Sequence, residues 1–239
     1  MTASAVGPHG YITLPHLIRL FQEAAMRNTD RLGISSGHLA ATEGLTWVLH
    51  RQSLEVSRWP RLGERVSVVT LPTRIERQLI THRDFYLLDE ARAVLAASAS
   101  TWSVMDVQSR RIRPLPPAVS GIFGDLGDVF RLAHPTEKPA PPADAPEARS
   151  FPVTFAQLDF NNHLTNPAYP ELMLEPLGLE FLRDRRLVAA DITYHREARY
   201  GESVTAVVAN AESPHRQQHA LYRGKELLAA MVSQWSPSV

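Results

Sequence analysis

Residues 54–69 read LEVSRWPRLGERVSVV, and residues 192–207 read ITYHREARYGESVTAV. Laid over one another, Leu54 on Ile192, the two stretches agree at six of sixteen positions. Arg58 meets Arg196, Arg61 meets Arg199, Gly63 meets Gly201, Glu64 meets Glu202, Val66 meets Val204 and Val69 meets Val207. Each copy reads as a strand, a tight turn carrying Gly-Glu, and a second strand. The chain therefore reads as one unit written twice.

Working outward, each unit carries a proline-led helix ahead of this motif. Residues 14–25, LPHLIRLFQEAA, lie over residues 166–177, NPAYPELMLEPL, with Pro15 on Pro167, Leu20 on Leu172 and Glu23 on Glu175. Proline is tolerated at the first helical position because that N–H has no partner there. Leu17, Leu20, Phe21 and Ala24 recur three and four apart and predict one apolar helix face. Four strand-like segments follow each helix, joined by tight turns such as DEAR and RGKE, which predicts antiparallel sheets. Between the units, residues 134–150 hold five prolines and no apolar periodicity, the pattern of a linker. The expected organisation is an N-terminal domain over residues 1–133, a Pro-rich linker over 134–150 and a C-terminal domain over 151–239. The class is α+β, a tandem (double) hot dog in which a long helix lies across an antiparallel sheet in each half.

Bulk properties narrow the function. The chain has 239 residues, 44% hydrophobic and 21% charged, which is ordinary globular composition. Lys+Arg and Asp+Glu both number 25, so no net charge favours nucleic acid or a membrane surface. There is no cysteine, which excludes disulfides, Cys-ligated zinc and a thiol nucleophile. The N-terminus lacks a basic region followed by an apolar core, and no run approaches the roughly 18 apolar residues of a membrane span. A soluble, cytoplasmic protein is expected.

The chemistry concentrates in LDFNNHLTNPAY, residues 158–169. Asp159, Asn161 and His163 fall at alternate positions, and an extended backbone would point all three to one side. Thr165-Asn166-Pro167 then reads as a helix start. The same residues alone also read as a turn followed by a helix cap. His163, His195 and Glu197 match no zinc spacing, and neither a metal nor a cofactor is expected.

These segments resemble the plant-type and bacterial acyl-acyl carrier protein (acyl-ACP) thioesterases, over most of the chain. The first half carries LFQEAA, GLTWVLHRQSLEVSRWPRLGERVSVVT and SASTWSVMDVQSRRIRPLP. The second carries Asp159-x-Asn161-x-His163, then Asn166 and Tyr169, and later Arg196-Glu197-Ala198 where the family often has Arg-Glu-Cys. The resemblance implies a double hot dog enzyme of fatty acid biosynthesis that hydrolyses fatty acyl-ACP. With no thiol at position 198, water activated by Glu197 is the expected nucleophile. Asn161, His163 and the amides of the following helix would polarise the thioester, and Asp159 would orient Asn161 or His163.

In the first half Trp59 stands in the place of Glu197, and Tyr11 lies near that of His163, so one catalytic centre per chain is expected. The first half would supply the acyl pocket through Trp47, Trp59, Phe85 and Trp102, with Asn166 and Tyr169 also at the substrate. The clusters Arg110, Arg111, Arg113 and Arg183, Arg185, Arg186 are candidate docking points for an acidic carrier protein. Three other readings stay open: an acyl-CoA thioesterase, a polyketide-pathway thioesterase, and an acyl-binding hot dog protein without turnover. Monomer and homodimer are both compatible with the tandem arrangement.

Overall fold

The first helix, α1 (Leu14–Arg31), starts with Pro15 in its first turn and buries Leu14, Leu17, Ile18, Phe21 and Ala25. The buried stripe is turned slightly from the sequence expectation: Ile18 and Ala25 face the core, while Leu20 and Ala24 are half-buried. The computed structural model describes residues 1–122, 132–144, 147–211, 213 and 215–237. After α2 (Ser36–Glu43) come β1 (Leu45–Val56), β2 (Ser67–Glu76), β3 (Ile80–Leu88), β4 (Val94–Asp106), the short β5 (Ile112–Arg113) and α3 (Pro117–Ile122). The second half contains β6 (Glu147–Pro152), α4 (Ala168–Leu174), α5 (Gly178–Asp184), β7 (Arg185–Tyr194), β8 (Ser203–Asn210), β9 (Arg216–Arg223) and β10 (Glu226–Pro237).

The strands form one sheet in the order β2-β3-β4-β1-β7-β10-β9-β8-β6, with β5 attached to β4. Every pairing is antiparallel. The halves join where β1 meets β7, with Arg51 opposite Thr193 and Ser53 opposite Asp191. The last four residues of the segment read as a linker, 147–150, belong to β6, which pairs with β8 at the sheet edge. Edge exposure explains why composition hid this strand: its residues are almost all exposed, so no apolar run marks it.

The two helices differ more than the repeat suggests. Phe21 of α1 stacks on Phe85 of β3, centroids 5.1 Å apart, and α1, with no Pro or Gly beyond its first turn, is continuous over its sheet. The second helix is not one long element. α4 ends at Leu174, a single 3-10 turn (Glu175–Leu177) follows, and α5 resumes at Gly178 with φ 79°. Pro176 removes an N–H that the helix ladder needs, and Gly178 permits the left-handed backbone. The break leaves carbonyls without helical partners. One of them, Met173 O, accepts from Nδ1 of the fully buried His219 at 2.9 Å. The other ring nitrogen contacts Ser233 Oγ at 2.8 Å, and Trp235 Nε1 donates to the same hydroxyl at 2.7 Å. Burial holds the His219 pKa down at about 4, so the ring is neutral and can donate at one nitrogen while accepting at the other.

At the seam, Arg51 donates from Nε to Asp191 Oδ1 (2.9 Å) and from Nη2 to Asp191 Oδ2 (2.6 Å). The same Nη2 reaches the carbonyls of Pro135 (2.8 Å) and Glu137 (2.6 Å), tying the proline-rich segment to the sheet. Both charged side chains are about nine-tenths buried.

Asp191→Ala leaves a guanidinium buried without its carboxylate and is expected to lower the unfolding free energy by about 3–5 kcal/mol, read by denaturant titration. Arg51→Met/Asp191→Leu should recover most of that loss, since no charge then remains buried. A second expectation concerns acid. His219 has a folded pKa below the ordinary value of about 6.5, so its neutral form is favoured by folding. That contribution is complete above pH 6.5 and is lost as pH falls through the folded pKa near 4. Denaturant unfolding at pH 7 and pH 4.5 should show a loss on the order of 1–3 kcal/mol in the parent chain. The loss should be visibly smaller in His219→Gln, which cannot take up the proton.

Candidate active site

Asp159, Asn161 and His163 do not share the face of an extended segment. They occupy a tight hairpin closed by a bridge between Leu158 and Leu164. Asp159 N donates to His163 O at 2.8 Å, and Asn162 N donates to Asp159 O at 3.0 Å. Asn162 takes the left-handed conformation, φ 61°, a region that asparagine tolerates better than most residues. Asp159 turns its Oδ1 inward, accepting from the backbone N–H of Asn161 (2.8 Å) and of His163 (3.1 Å). The carboxylate therefore shapes the loop through two amides, and no contact joins it to the side chain of Asn161 or His163.

The hairpin is docked on the chain just beyond β7. His163 bridges Arg199, and Leu164 N donates to Ala198 O at 2.8 Å. This pairing carries Glu197 to the imidazole: His163 Nε2 lies 3.3 Å from Glu197 Oε2. Glu197 is three residues past the last residue of β7, off the strand on which the sequence reading had put it. Tyr169 Oη donates to Arg196 O at 2.9 Å and steadies the same segment. Tyr169 and Tyr194 meet edge-to-face with centroids 5.4 Å apart. Burial first, and the Glu197 carboxylate second, push the Tyr169 phenol well above its ordinary pKa, so it remains a donor. Glu197 Oε1 is also paired with Arg110 from the first half, a residue with φ 58° in the turn between β4 and β5. The glutamate side chain is 38% exposed and the imidazole 16%, which leaves the acid within reach of solvent.

Beside this pair lies a cavity of about 480 Å³. Its walls come from α1, α2 and the strands of the first half, including Met26, Trp47, Arg83 and Trp102. The second half contributes Asp159, Phe160, Asn161 and Asn166. Of the residues expected at a substrate, Trp47, Trp102 and Asn166 line this cavity. Tyr169, His163 and Glu197 do not line it. Phe85 is core, stacked on Phe21. Trp59 lines a different cavity, as do Arg183, Arg185 and Arg186.

The lining is polar in part. Burial lowers the Arg83 pKa to about 10, and its Nη1 donates to Asn28 Oδ1 (2.9 Å) and Thr70 Oγ1 (3.1 Å). Gln22 Oε1 is buried and has no hydrogen-bond partner among the described residues. No side chain caps α4. Ala168 N is occupied by Thr165 O at 2.9 Å and Pro170 has no N–H, so two of the first three residues of α4 have no amide to offer a ligand. Among the described residues no group of three or more His, Asp or Glu side chains could hold a metal ion.

The first half repeats the hairpin with other side chains. Gly7 N donates to Tyr11 O, Gly10 N to Gly7 O, and Ile12 N to Pro60 O, at 2.9, 2.9 and 3.0 Å, while Tyr11 bridges Arg61. Gly7, His9, Tyr11 and Trp59 thus stand where the second half has Asp159, Asn161, His163 and Glu197. The helix alignment, Pro15 on Pro167, carries the signal for His9 when it is extended toward the N-terminus.

Two family models match the chain: the acyl-ACP thioesterase N-terminal domain over residues 2–123 and the C-terminal domain over residues 141–237. The chain belongs to the acyl-ACP thioesterase family. It is 27% identical over 229 residues to oleoyl-acyl carrier protein thioesterase 2, chloroplastic, of Arabidopsis thaliana, covering 88% of this chain and 61% of that protein. A chloroplastic acyl-[acyl-carrier-protein] hydrolase of Cuphea viscosissima is 24% identical over 230 residues, covering 90% of this chain and 56% of its own length. The chain thus spans a little over half the length of these relatives. An acyl-ACP thioesterase structure from Bacteroides thetaiotaomicron superposes with a TM-score of 0.87 at 17% identity, covering 98% of this chain and 94% of that one. The 12:0-ACP thioesterase of Umbellularia californica gives 0.83 at 18% identity, covering 100% and 95%. At these identities the structures establish the fold, which is the tandem hot dog expected of the family. No helix among the described residues is long and apolar enough to cross a membrane.

Within this family member, Asp159 has a role that a substitution can isolate. Asp159→Ala removes the acceptor that two hairpin amides share and should cost about 0.5–1.5 kcal/mol in denaturant unfolding. Asp159→Asn keeps an acceptor oxygen and should restore most of the stability.

Proposed function

We propose that the chain hydrolyses an acyl thioester carried on an acyl carrier protein, releasing the free acid. The observation that supports this is the 3.3 Å pairing of His163 Nε2 with Glu197 Oε2, next to a hairpin whose other face lines the first-half cavity. Glu197 takes a proton from water as the oxygen attacks the thioester carbon. Asn161 and His163 face the oxygen that gains charge, and the tetrahedral adduct then expels the carrier's sulfur, which takes a proton as it leaves. The carrier approaches over Arg110, Arg111 and Arg113, because Arg110 already touches Glu197. The Arg183, Arg185, Arg186 cluster opens onto the other cavity and is the weaker candidate. A reducing compartment such as the cytoplasm agrees with the cysteine-free sequence.

One observation favours a second reading within the same chemistry. Gln22, Arg83 and Asn161 put polar side chains in the wall of the acyl cavity, which suits a chain bearing oxygen, as in polyketide pathways, better than a plain alkyl chain.

Purified protein is assayed for free acid against saturated and oxygenated acyl-ACP and acyl-CoA. Glu197→Gln and His163→Ala should each lower kcat by roughly 10²–10⁴ with folding intact. Full activity in either variant would remove that residue from the mechanism. Absence of free acid with every substrate would leave the acyl-binding reading. Arg111→Glu should raise KM for acyl-ACP and leave acyl-CoA hydrolysis unchanged.

A further inference from the structure

A second cavity, of about 470 Å³, lies where the internal two-fold repeat sets a mate for the first. Leu174 and Glu175 line it where Gln22 and Glu23 line the first, and Arg185 occupies the place of Trp47. Trp235 lies opposite Leu187 as Trp102 lies opposite Leu49, and each indole donates to a serine two residues earlier at 2.7 Å. The first-half hairpin closes this cavity with Pro8, His9 and Tyr11. The two cavities are alike in volume and unlike in their polar side chains. Trp59 fills the position of the glutamate, its Nε1 tied to Leu187 O at 2.7 Å, so the counterpart of the His163–Glu197 pair is missing here.

What replaced the polar set is cationic. Arg186 lies over the Tyr11 ring, 4.8 Å from its centroid, and Arg185 over the Phe181 ring at 4.9 Å. Among the described residues neither guanidinium has a carboxylate within ion-pair distance. The third arginine of the cluster is committed to Asp184 at 2.8 Å. Two acids also line the cavity, Glu171 and Glu175, the latter facing Arg149 at 3.8 Å. The deeper wall is apolar, with Leu174, Leu182, Leu187 and Trp235. An alkyl chain against that wall, ending in an anion at Arg185 and Arg186, satisfies both parts.

We propose that this second cavity is a non-hydrolytic binding site for a long-chain carboxylate, its tail on the Leu182–Trp235 wall and its head group on Arg185 and Arg186. The site is separate from the His163–Glu197 pair and stands whether or not that pair hydrolyses thioesters.

Equilibrium dialysis with radiolabelled dodecanoate, below the concentration at which it forms micelles, tests it on the full chain. One bound equivalent should weaken at least tenfold in Arg185→Ala/Arg186→Ala. It should weaken likewise in Leu179→Trp, which crowds the cavity mouth from a side chain 65% exposed and so spares the core. Leu179→Trp, which lies outside the candidate docking clusters, should hydrolyse acyl-ACP as the parent does. Identical isotherms in parent and variants would overturn the proposal. So would dodecanol binding as tightly as dodecanoate, or coenzyme A displacing the bound acid from this site.

Discussion

The pairing of β1 with β7 is the constraint on which both cavities depend. It is an antiparallel contact between halves, reinforced by the bidentate Arg51–Asp191 pair, and it converts two sheets into one. Because the halves are related by a two-fold operation across that seam, each half's hairpin is delivered to the other half's helix and strands. The cavity walled by Met26, Trp47 and Trp102 is closed by Asp159–Asn161, and the one walled by Leu182 and Trp235 is closed by Pro8–Tyr11. Neither pocket belongs to a single half. A half that folded alone would carry half of each site and expose the β1 or β7 edge, a template for wrong pairing. The extra bonds from Arg51 to Pro135 and Glu137 fit the same need, since they hold the connecting chain against the seam it has to span.

Once both copies sit on one chain, each can change without changing the other. The structure records such a separation at three matched places. Phe21 on Phe85 became Met173 facing His219, exchanging an aromatic stack for a hydrogen bond to a carbonyl freed by the helix break. Gly10, at φ 82°, became Asn162 at φ 61°, keeping a left-handed turn but adding a polar side chain. Trp59 stands opposite Glu197, so one copy closed its position with an indole while the other kept an acid. Around the two hairpin positions the backbone bonds are matched at 2.8–3.0 Å, and the side chains carry the difference.

How much of this was readable follows from what sequence periodicity can encode. The Gly-Glu turns and flanking valines exposed the repeat because Gly63 and Gly201 both need positive φ, 80° and 78°, and few other residues supply it. The strands and α1 were legible from apolar spacing. The alternation of Asp159, Asn161 and His163 misled, because an aspartate bonding forward to amides two and four residues on folds the chain back, and alternation alone does not distinguish that from a strand. The break after α4 was signalled by Pro176 and Gly178, but the apolar matches with α1 outweighed it. The contact of Glu197 with Arg110 could not be read at all, since the two are 87 residues apart and meet only through the seam.

The alanine at position 198 does structural work at the hairpin that a thiol is not needed for. Its side chain is fully buried, and its carbonyl accepts from Leu164 N at 2.8 Å, so what the position contributes is backbone geometry and small size. A thiol there would be enclosed in apolar surroundings, which raise its pKa and suppress the thiolate that nucleophilic attack requires. The neighbouring Glu197 points the other way, toward the imidazole and solvent. Ala198 is fully buried while the Glu197 side chain beside it is 38% exposed. Anchoring residue 198 inward by the hairpin bond is therefore the same act as presenting residue 197 outward, and the acid owes its place at the site to the small residue beside it.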